Sequence, residues 1–285
     1  MILANIGGSP PASEFVGVSI GPASCRTRHE TVSRKAELSR VPTVVNSRIP
    51  TLVMTKMNRM AIQNRYLNIL GEFTGETGDL STVVCPFFDR SSLSGSESGA
   101  SGRCFDFVIA NNEASSLPHY NSSRKIISEG ILLFDVGCKY EYYCSDFTRT
   151  IFLGKPKSSK NPDKTEKLKQ IYDIVLQAQT RALKACRAGI SCKELDHISR
   201  KYIEEKGYGK FFGHGLGHGV GLEIHELPTV SYIADTILKE DMVITIEPGI
   251  YLEGIGGVRI EDIVVVRDGG CENFYSDSKS LTVLE

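Results

Sequence analysis

No stretch of the sequence approaches the roughly 18 to 20 apolar residues of a bilayer span, which excludes a membrane-spanning helix. Excess charge of one sign is missing too, since 33 Lys and Arg stand against 34 Asp and Glu. Without a positive surplus there is no field to gather phosphates, so nucleic acid is not an expected partner. The eight cysteines include no CxxC pair and are scattered over 285 residues, a pattern of free thiols in a reducing compartment. The N-terminus lacks the basic segment followed by an apolar stretch that marks a secretory leader. Residues 1–60 instead hold twelve Ser or Thr and eight Lys or Arg against three Glu, a balance resembling an organellar transit peptide. The expected location is the cytoplasm, with organellar targeting by this arm as the alternative.

Regular structure is unevenly signalled. Residues 1–56 are interrupted by Pro10, Pro11, Pro22, Pro42 and Pro50 and read as a loosely ordered arm, with the main folded domain expected over 57–285. Apolar spacing suggests a helix from Met57 to Leu70. Nine of the twelve residues from Ser91 to Gly102 are Ser or Gly, too polar to offset the entropy of ordering, and are read as a linker. Beyond it, runs at Cys104–Ala110, Ile131–Val136, Met242–Glu247 and Val258–Val266 are strand-like. An amphipathic helix is predicted over Asp163–Ala188, stopped by Gly189. A second starts at the capping box Ser191-Cys192-Lys193-Glu194 and ends near Gly207. Strands and helices in these blocks give an α+β fold.

Three segments carry chemistry. Asp135 to Asp146 reads as two strands folding back on each other; a turn centred on Tyr140 and Glu141 sets Asp135 opposite Asp146, on one face. Solvated turn aspartates are the bland alternative, but Phe134, Val136, Phe147 and Ile151 argue for burial. Two carboxylates buried together repel unless a cation lies between them. A second carboxylate pair comes from Glu247, at a strand exit closed by Pro248, and Glu261, which alternation places on the same face as Arg259. Taken alone, Arg259 and Glu261 would be an ordinary surface pair. Between these hairpins, Gly213–Glu226 interleaves His214, His218 and His225 with five glycines; it lacks the Gly-Lys-Ser/Thr ending of a phosphate loop. Four carboxylates and one imidazole form an oxygen-rich set suited to two divalent ions: manganese, with cobalt or zinc as alternatives. Cys144 is expected as a small lining residue rather than a ligand.

Asp135, Asp146, His218, Glu247 and Glu261, in that order, together with the blocks Ser145–Thr150, His214–Glu226, Ile246–Gly249 and Arg259–Asp262, resemble the pita-bread metallopeptidases. That family comprises Xaa-Pro dipeptidase, aminopeptidase P and methionine aminopeptidase. The match runs over about residues 103–285, upstream of which the chain departs from the family pattern. The resemblance implies a pita-bread fold, a curved antiparallel sheet covered by helices, with those five residues as metal ligands. Its spacing of His214, His218 and His225, and the 14-residue step from Glu247 to Glu261, are similar to the proline-specific branch. The implied reaction is hydrolysis of the bond before proline in small peptides, with a water activated between two metals. Glu247 would shuttle the proton, and His225 and His119 would act on the oxyanion or the substrate carboxylate. His214 and Arg259 would contribute to substrate binding. A homodimer is compatible with this reading. Aminopeptidase P or methionine aminopeptidase activity, or a binding scaffold without catalysis, are the alternatives.

Overall fold

The computed structural model describes residues 101–122, 127–154, 162–275 and 277–284. The expected arm, the helix at 57–70 and nearly all of the Ser/Gly stretch lie outside the described residues. In chain order the strands are β1 (Gly102–Arg103), β2 (Val108–Asn111), β3 (Gly130–Val136), β4 (Cys138–Tyr140), β5 (Tyr143–Cys144) and β6 (Phe147–Leu153). Two helices follow, α1 (Pro162–Ala185) and α2 (Cys192–Glu205). The remaining strands are β7 (Gly217–Gly219), β8 (Glu226–Val230), β9 (Val243–Ile246), β10 (Gly249–Leu252), β11 (Gly256–Arg259), β12 (Asp262–Arg267), β13 (Gly270–Asn273) and β14 (Val283–Leu284).

Two larger sheets carry the fold, one ordered β13-β12-β9-β7-β8 and the other β14-β6-β3-β2. Among the described strands every pairing is antiparallel except β14 with β6. Among the described residues the two sheets meet at one backbone bridge, between Thr148 and Glu261, so the sheet surface is divided at the place where carboxylates gather. The expected strand Val258–Val266 is broken at Ile260 and Glu261 into β11 and β12, and Cys104–Phe107 lies outside any strand.

The helices form where the sequence places them. Leu168, Ile171, Tyr172, Val175, Ala178 and Ala182 recur at helical spacing on α1 and are all buried in the larger apolar core. α1 ends at Ala185; the chain then turns through Gly189, whose φ of +88° is left-handed and open to glycine without strain. At α2, Ser191 and Glu194 form the reciprocal capping box, satisfying two backbone N–H groups that a bare helix start would leave unpaired.

The hairpin register differs from the expected one. Tyr140 pairs with Tyr143 and Lys139 with Cys144, so the turn falls on Glu141 and Tyr142, both with positive φ (47° and 75°). Asp135 consequently sits opposite Thr148 rather than Asp146. The slip is two residues, and because strand side chains alternate with period two, Asp135 and Asp146 still share a face. A one-residue slip would have separated them.

Candidate functional site

Strand neighbours explain how residues distant in sequence converge. Within the five-stranded sheet β7, β9 and β12 are adjacent, and they deliver His218, Glu247 and Glu261 respectively. The β9–β12 ladder ends at the pair Ile246–Asp262, so Glu247 and Glu261 face each other one step beyond the last rung. Pro248, which has no N–H, follows at that point. The other sheet supplies Asp135 from β3 and Asp146 from the residue before β6, and the Thr148–Glu261 bridge ties the two sources together.

Close approach depends on glycine in the histidine loop. A Cβ at Gly217 would lie 2.1 Å from the Thr245 carbonyl oxygen, so only glycine lets β7 lie this near β9. From outside, the buried Asp196 on α2 takes two bonds from Arg200 (2.7 and 2.9 Å) and a third from the Leu216 N–H (3.0 Å). Arg200 in turn donates to the carbonyls of Phe212 (2.9 Å) and His214 (2.7 Å), which anchors the loop to the helix.

Ligand atoms of Asp146, His218 and Glu261 all lie within 4.8 Å of one another. His218 Nδ1 donates to the Gly219 carbonyl (3.0 Å), which leaves Nε2 facing Glu247 Oε1 at 3.3 Å and Asp146 Oδ2 at 3.6 Å. Thr245 receives the His218 N–H on Oγ1 (3.0 Å) and donates to Glu247 Oε1 (3.1 Å). Glu261 Oε2 accepts from Thr148 Oγ1 at 2.6 Å. Asp135 Oδ2 accepts from Arg259 Nη2 at 2.6 Å. Its other oxygen, Oδ1, is buried and accepts no hydrogen bond among the described residues; the neighbouring Asp146 carboxylate can pair with it only by sharing a proton.

The electrostatics report crowding of negative charge. Burial, then Glu261 and Asp135, pushes the Asp146 carboxyl far above its ordinary range. Glu261 is pushed up likewise by burial, then Glu247 and Asp135. Burial also raises Asp135, even against the opposing pull of Arg259. Burial would raise Glu247 as well, but the His218 hydrogen bond, then the charges of His218 and Arg259, bring it down to about 2. On His218, burial disfavours the cation and Glu247 more than reverses that, so its pKa rises. A protonated imidazole here supplies part of the positive charge the carboxylates demand. An oxygen-rich set with one imidazole and an orphaned buried carboxylate oxygen fits divalent ions.

Arg259 and Glu261 are buried rather than a surface pair, and they meet through Thr148, whose Oγ1 also accepts from Arg259 Nε at 3.2 Å. Arg259 Nη1 donates to Tyr251 Oη (3.0 Å) and the Pro118 carbonyl (3.2 Å). Since Tyr251 accepts from Arg259, its own proton goes to His214 Nε2 at 2.9 Å, and His214 Nδ1 donates to Gly215 O at 2.7 Å. Both nitrogens of His214 are thereby engaged, and burial lowers its pKa, favouring the neutral ring. His225 is exposed and packs edge-on against His218 with ring centroids 4.5 Å apart; burial, then the nearby His218, lowers its pKa. His119 is exposed. Cys144 is buried with Sγ on the Leu222 carbonyl (3.5 Å) and is not in the ligand cluster.

Thr148, Thr245 and Tyr251 are the members of this site that the sequence reading missed. Tyr251 was open to detection. In the β10–β11 hairpin Gly249 pairs with Arg259, and Tyr251 Oη sits 2.5 Å from where a Gly249 Cβ would be, so the phenol folds over that glycine toward the guanidinium.

Comparison with known proteins agrees with this geometry. The chain is 48% identical over 184 residues to a Xaa-Pro dipeptidase of Pyrococcus furiosus, covering 64% of this chain and 51% of that protein. In structure it is similar to a Xaa-Pro dipeptidase from Bacillus anthracis, with TM-score 0.72 and 38% identity over 85% of this chain and 64% of the other. It is also similar to an X-Pro aminopeptidase from Thermotoga maritima, with TM-score 0.60 and 46% identity over 65% of this chain and 50% of the other. The chain thus spans about half the length of the curated relatives it matches. Residues 87–268 match metallopeptidase family M24, and with the fold and the five convergent ligand candidates in place, the chain belongs to that family.

Proposed function

We propose that this chain hydrolyses the peptide bond preceding proline, with Xaa-Pro dipeptides as its substrates, at a site holding two divalent metals. Manganese is the proposed metal. The observation that carries the reading is the convergence of Asp146, His218 and Glu261 within 4.8 Å beside the orphaned Asp135 oxygen. Asp135, Asp146, His218, Glu247 and Glu261 would hold the ions. Bound there, divalent ions supply Lewis acidity, lowering the pKa of a water and polarising the scissile carbonyl.

The remaining steps fall to side chains. Glu247, whose carboxyl is held ionised near neutral pH, is suited to accept the proton of the attacking water and deliver it to the leaving prolyl nitrogen. His225, exposed beside His218, and His119 are assigned to the oxyanion and the substrate carboxylate. Arg259 holds Asp135 in place through its 2.6 Å bond and, with Tyr251 and His214, forms a fixed wall of the substrate pocket. A cytoplasmic setting is in keeping with the free thiols of Cys104, Cys144, Cys186, Cys192 and Cys271.

The test is hydrolysis of a Xaa-Pro dipeptide by purified, manganese-loaded protein, alongside a longer Xaa-Pro peptide and a Met-Ala peptide. Turnover of the dipeptide above the others supports the proposal; no turnover above blank refutes it. Preference for the longer Xaa-Pro peptide would favour aminopeptidase P activity, a second reading supported by the likeness to the Thermotoga maritima structure.

A further inference from the structure

Beside the ligand cluster lies a polar network that the reaction does not use. Arg149 is 2% exposed and spends all five of its donors. Nε and one Nη2 hydrogen go to the two oxygens of Asp277 (both 3.0 Å), and the other Nη2 hydrogen goes to Asp262 Oδ1 (2.9 Å). Nη1 donates to the carbonyls of Thr148 (2.9 Å) and Glu261 (2.7 Å). The guanidinium therefore locks the backbone on both sides of the bridge that joins the two sheets, and one of the two carbonyls belongs to a proposed metal ligand.

The network continues through the last residues of the chain. Lys279 Nζ bonds Asp262 Oδ2 and donates to Gln179 Oε1 (3.0 Å). Gln179, fully buried on α1, passes its amide hydrogens to the carbonyls of Ile246 (3.1 Å) and Ile260 (3.2 Å). These are the residues immediately before Glu247 and Glu261. Tyr275, buried with its ring 5.0 Å from that of Phe147, donates its hydroxyl to the backbone carbonyl of Asp146. Asp146, Glu247 and Glu261 are thus each held, at their own or the adjacent peptide, by one connected set of hydrogen bonds. Three of its members, Tyr275, Asp277 and Lys279, come from the nine residues between β13 and β14.

We propose that Tyr275 and Lys279, acting through Asp146 and through Gln179, are positioning residues that set the spacing of the metal ligands, so that the C-terminal segment tunes metal affinity. The inference rests on reading the cluster as a metal site. A fully satisfied buried network has few alternative arrangements, and ligand carboxylates fixed in advance spend less ordering entropy when an ion arrives.

The experiment compares full-length wild type with Tyr275→Phe, Lys279→Met and, as a control, Tyr208→Phe, whose hydroxyl bonds Gln170 at 3.1 Å within the helical layer. Manganese affinity is measured by equilibrium dialysis, and the melting temperature of the metal-free protein is recorded for each. Tyr275→Phe and Lys279→Met are expected to weaken manganese binding on the order of 10- to 100-fold, the usual range for groups supporting a ligand. Tyr208→Phe, even with a comparable fall in melting temperature, is expected to bind as wild type does. Should Lys279→Met fail to fold, Tyr275→Phe decides the matter, because it removes one oxygen from a ring that stays packed. Wild-type binding with both variants within about twofold of it overturns this inference alone. Failure of the wild type to bind manganese overturns the metal reading and this inference with it.

Discussion

Replacing Arg259 by Met separates the electrostatic role of this residue from its bulk. Arg259 is 3% exposed, and its guanidinium makes four bonds, to Asp135, Thr148, Tyr251 and the Pro118 carbonyl. Methionine fills much of the volume but leaves Asp135 with both oxygens uncompensated. Removing one partner of a buried ion pair costs about 3 to 5 kcal/mol. At about 2 to 4 °C per kcal/mol for a domain of this size, the metal-free variant should melt about 6 to 20 °C below wild type. With manganese bound, the Asp135 carboxylate regains a cation, and the loss should shrink to that of a few hydrogen bonds, about 1 to 3 kcal/mol. Arg259→Lys keeps the charge but not the planar fork, and should fall between the two. The assay is thermal unfolding at pH 8 with chelator and with manganese. An equal loss in the two conditions would mean that Asp135 faces no metal, and a metal-free loss under about 1 kcal/mol would mean that Arg259 is not its counter-ion.

Gly217→Ala should cost about 3 kcal/mol or more and abolish manganese uptake, since its Cβ would sit 2.1 Å from Thr245 O; unfolding and dialysis check both effects. Asp196→Ala should cost about 3 kcal/mol by stranding Arg200 and releasing the loop that carries His214 and His218, with substrate hydrolysis falling further than the far-ultraviolet dichroism. The pH profile of the metal-free protein has a definite sign. Asp135, Asp146 and Glu261 have folded pKa values raised above the unfolded ones of about 4, so the folded chain binds more protons and loses stability as pH rises through the raised values. Glu247, lowered to about 2, and Asp262, lowered by Arg149 and Lys279 against its burial, run the other way and lose their contribution as pH falls below about 4. Metal-free melting temperature should therefore peak in mild acid, whereas with manganese it should rise toward neutral pH; a metal-free curve that climbs from pH 5 to pH 8 would contradict this.

What the sequence disclosed and what it withheld divide along the range of the interactions. α2 was legible down to its first residue because Ser191 and Glu194 satisfy each other within four residues of chain. The shared face of Asp135 and Asp146 was legible for a weaker reason, since any even slip of register preserves it, while the register itself was misread. The turn lies on Glu141 and Tyr142, which adopt positive φ without the Gly or Asn that usually signals such a turn. Glu247 was expected where pairing stops, and β9 does end at Ile246. The break of the last strand at Ile260 and Glu261 was not foreseen, because it is imposed by Thr148, 113 residues earlier. Thr148 and Thr245 gave no local sign, their roles being fixed by partners on other strands.

The scaffold alternative can be weighed on the same electrostatics. Asp146 and Glu261 present ligand oxygens within 4.8 Å of each other, and two unit charges at that distance repel by about 3.5 kcal/mol at an effective dielectric of about 20. Asp135 and Glu247 add to the same crowd, against which the chain sets one buried arginine and a histidine that must itself be protonated to help. A fold whose only task was to present a surface would gain stability by exchanging Asp146 or Glu261 for an amide. Such clustering leaves the metal-free chain electrostatically frustrated at neutral pH, and divalent cations relieve the frustration most directly. That places the energetic reason for the cluster in what it binds rather than in how the chain folds, and it makes a large manganese-induced rise in melting temperature the observation on which a scaffold and an enzyme part.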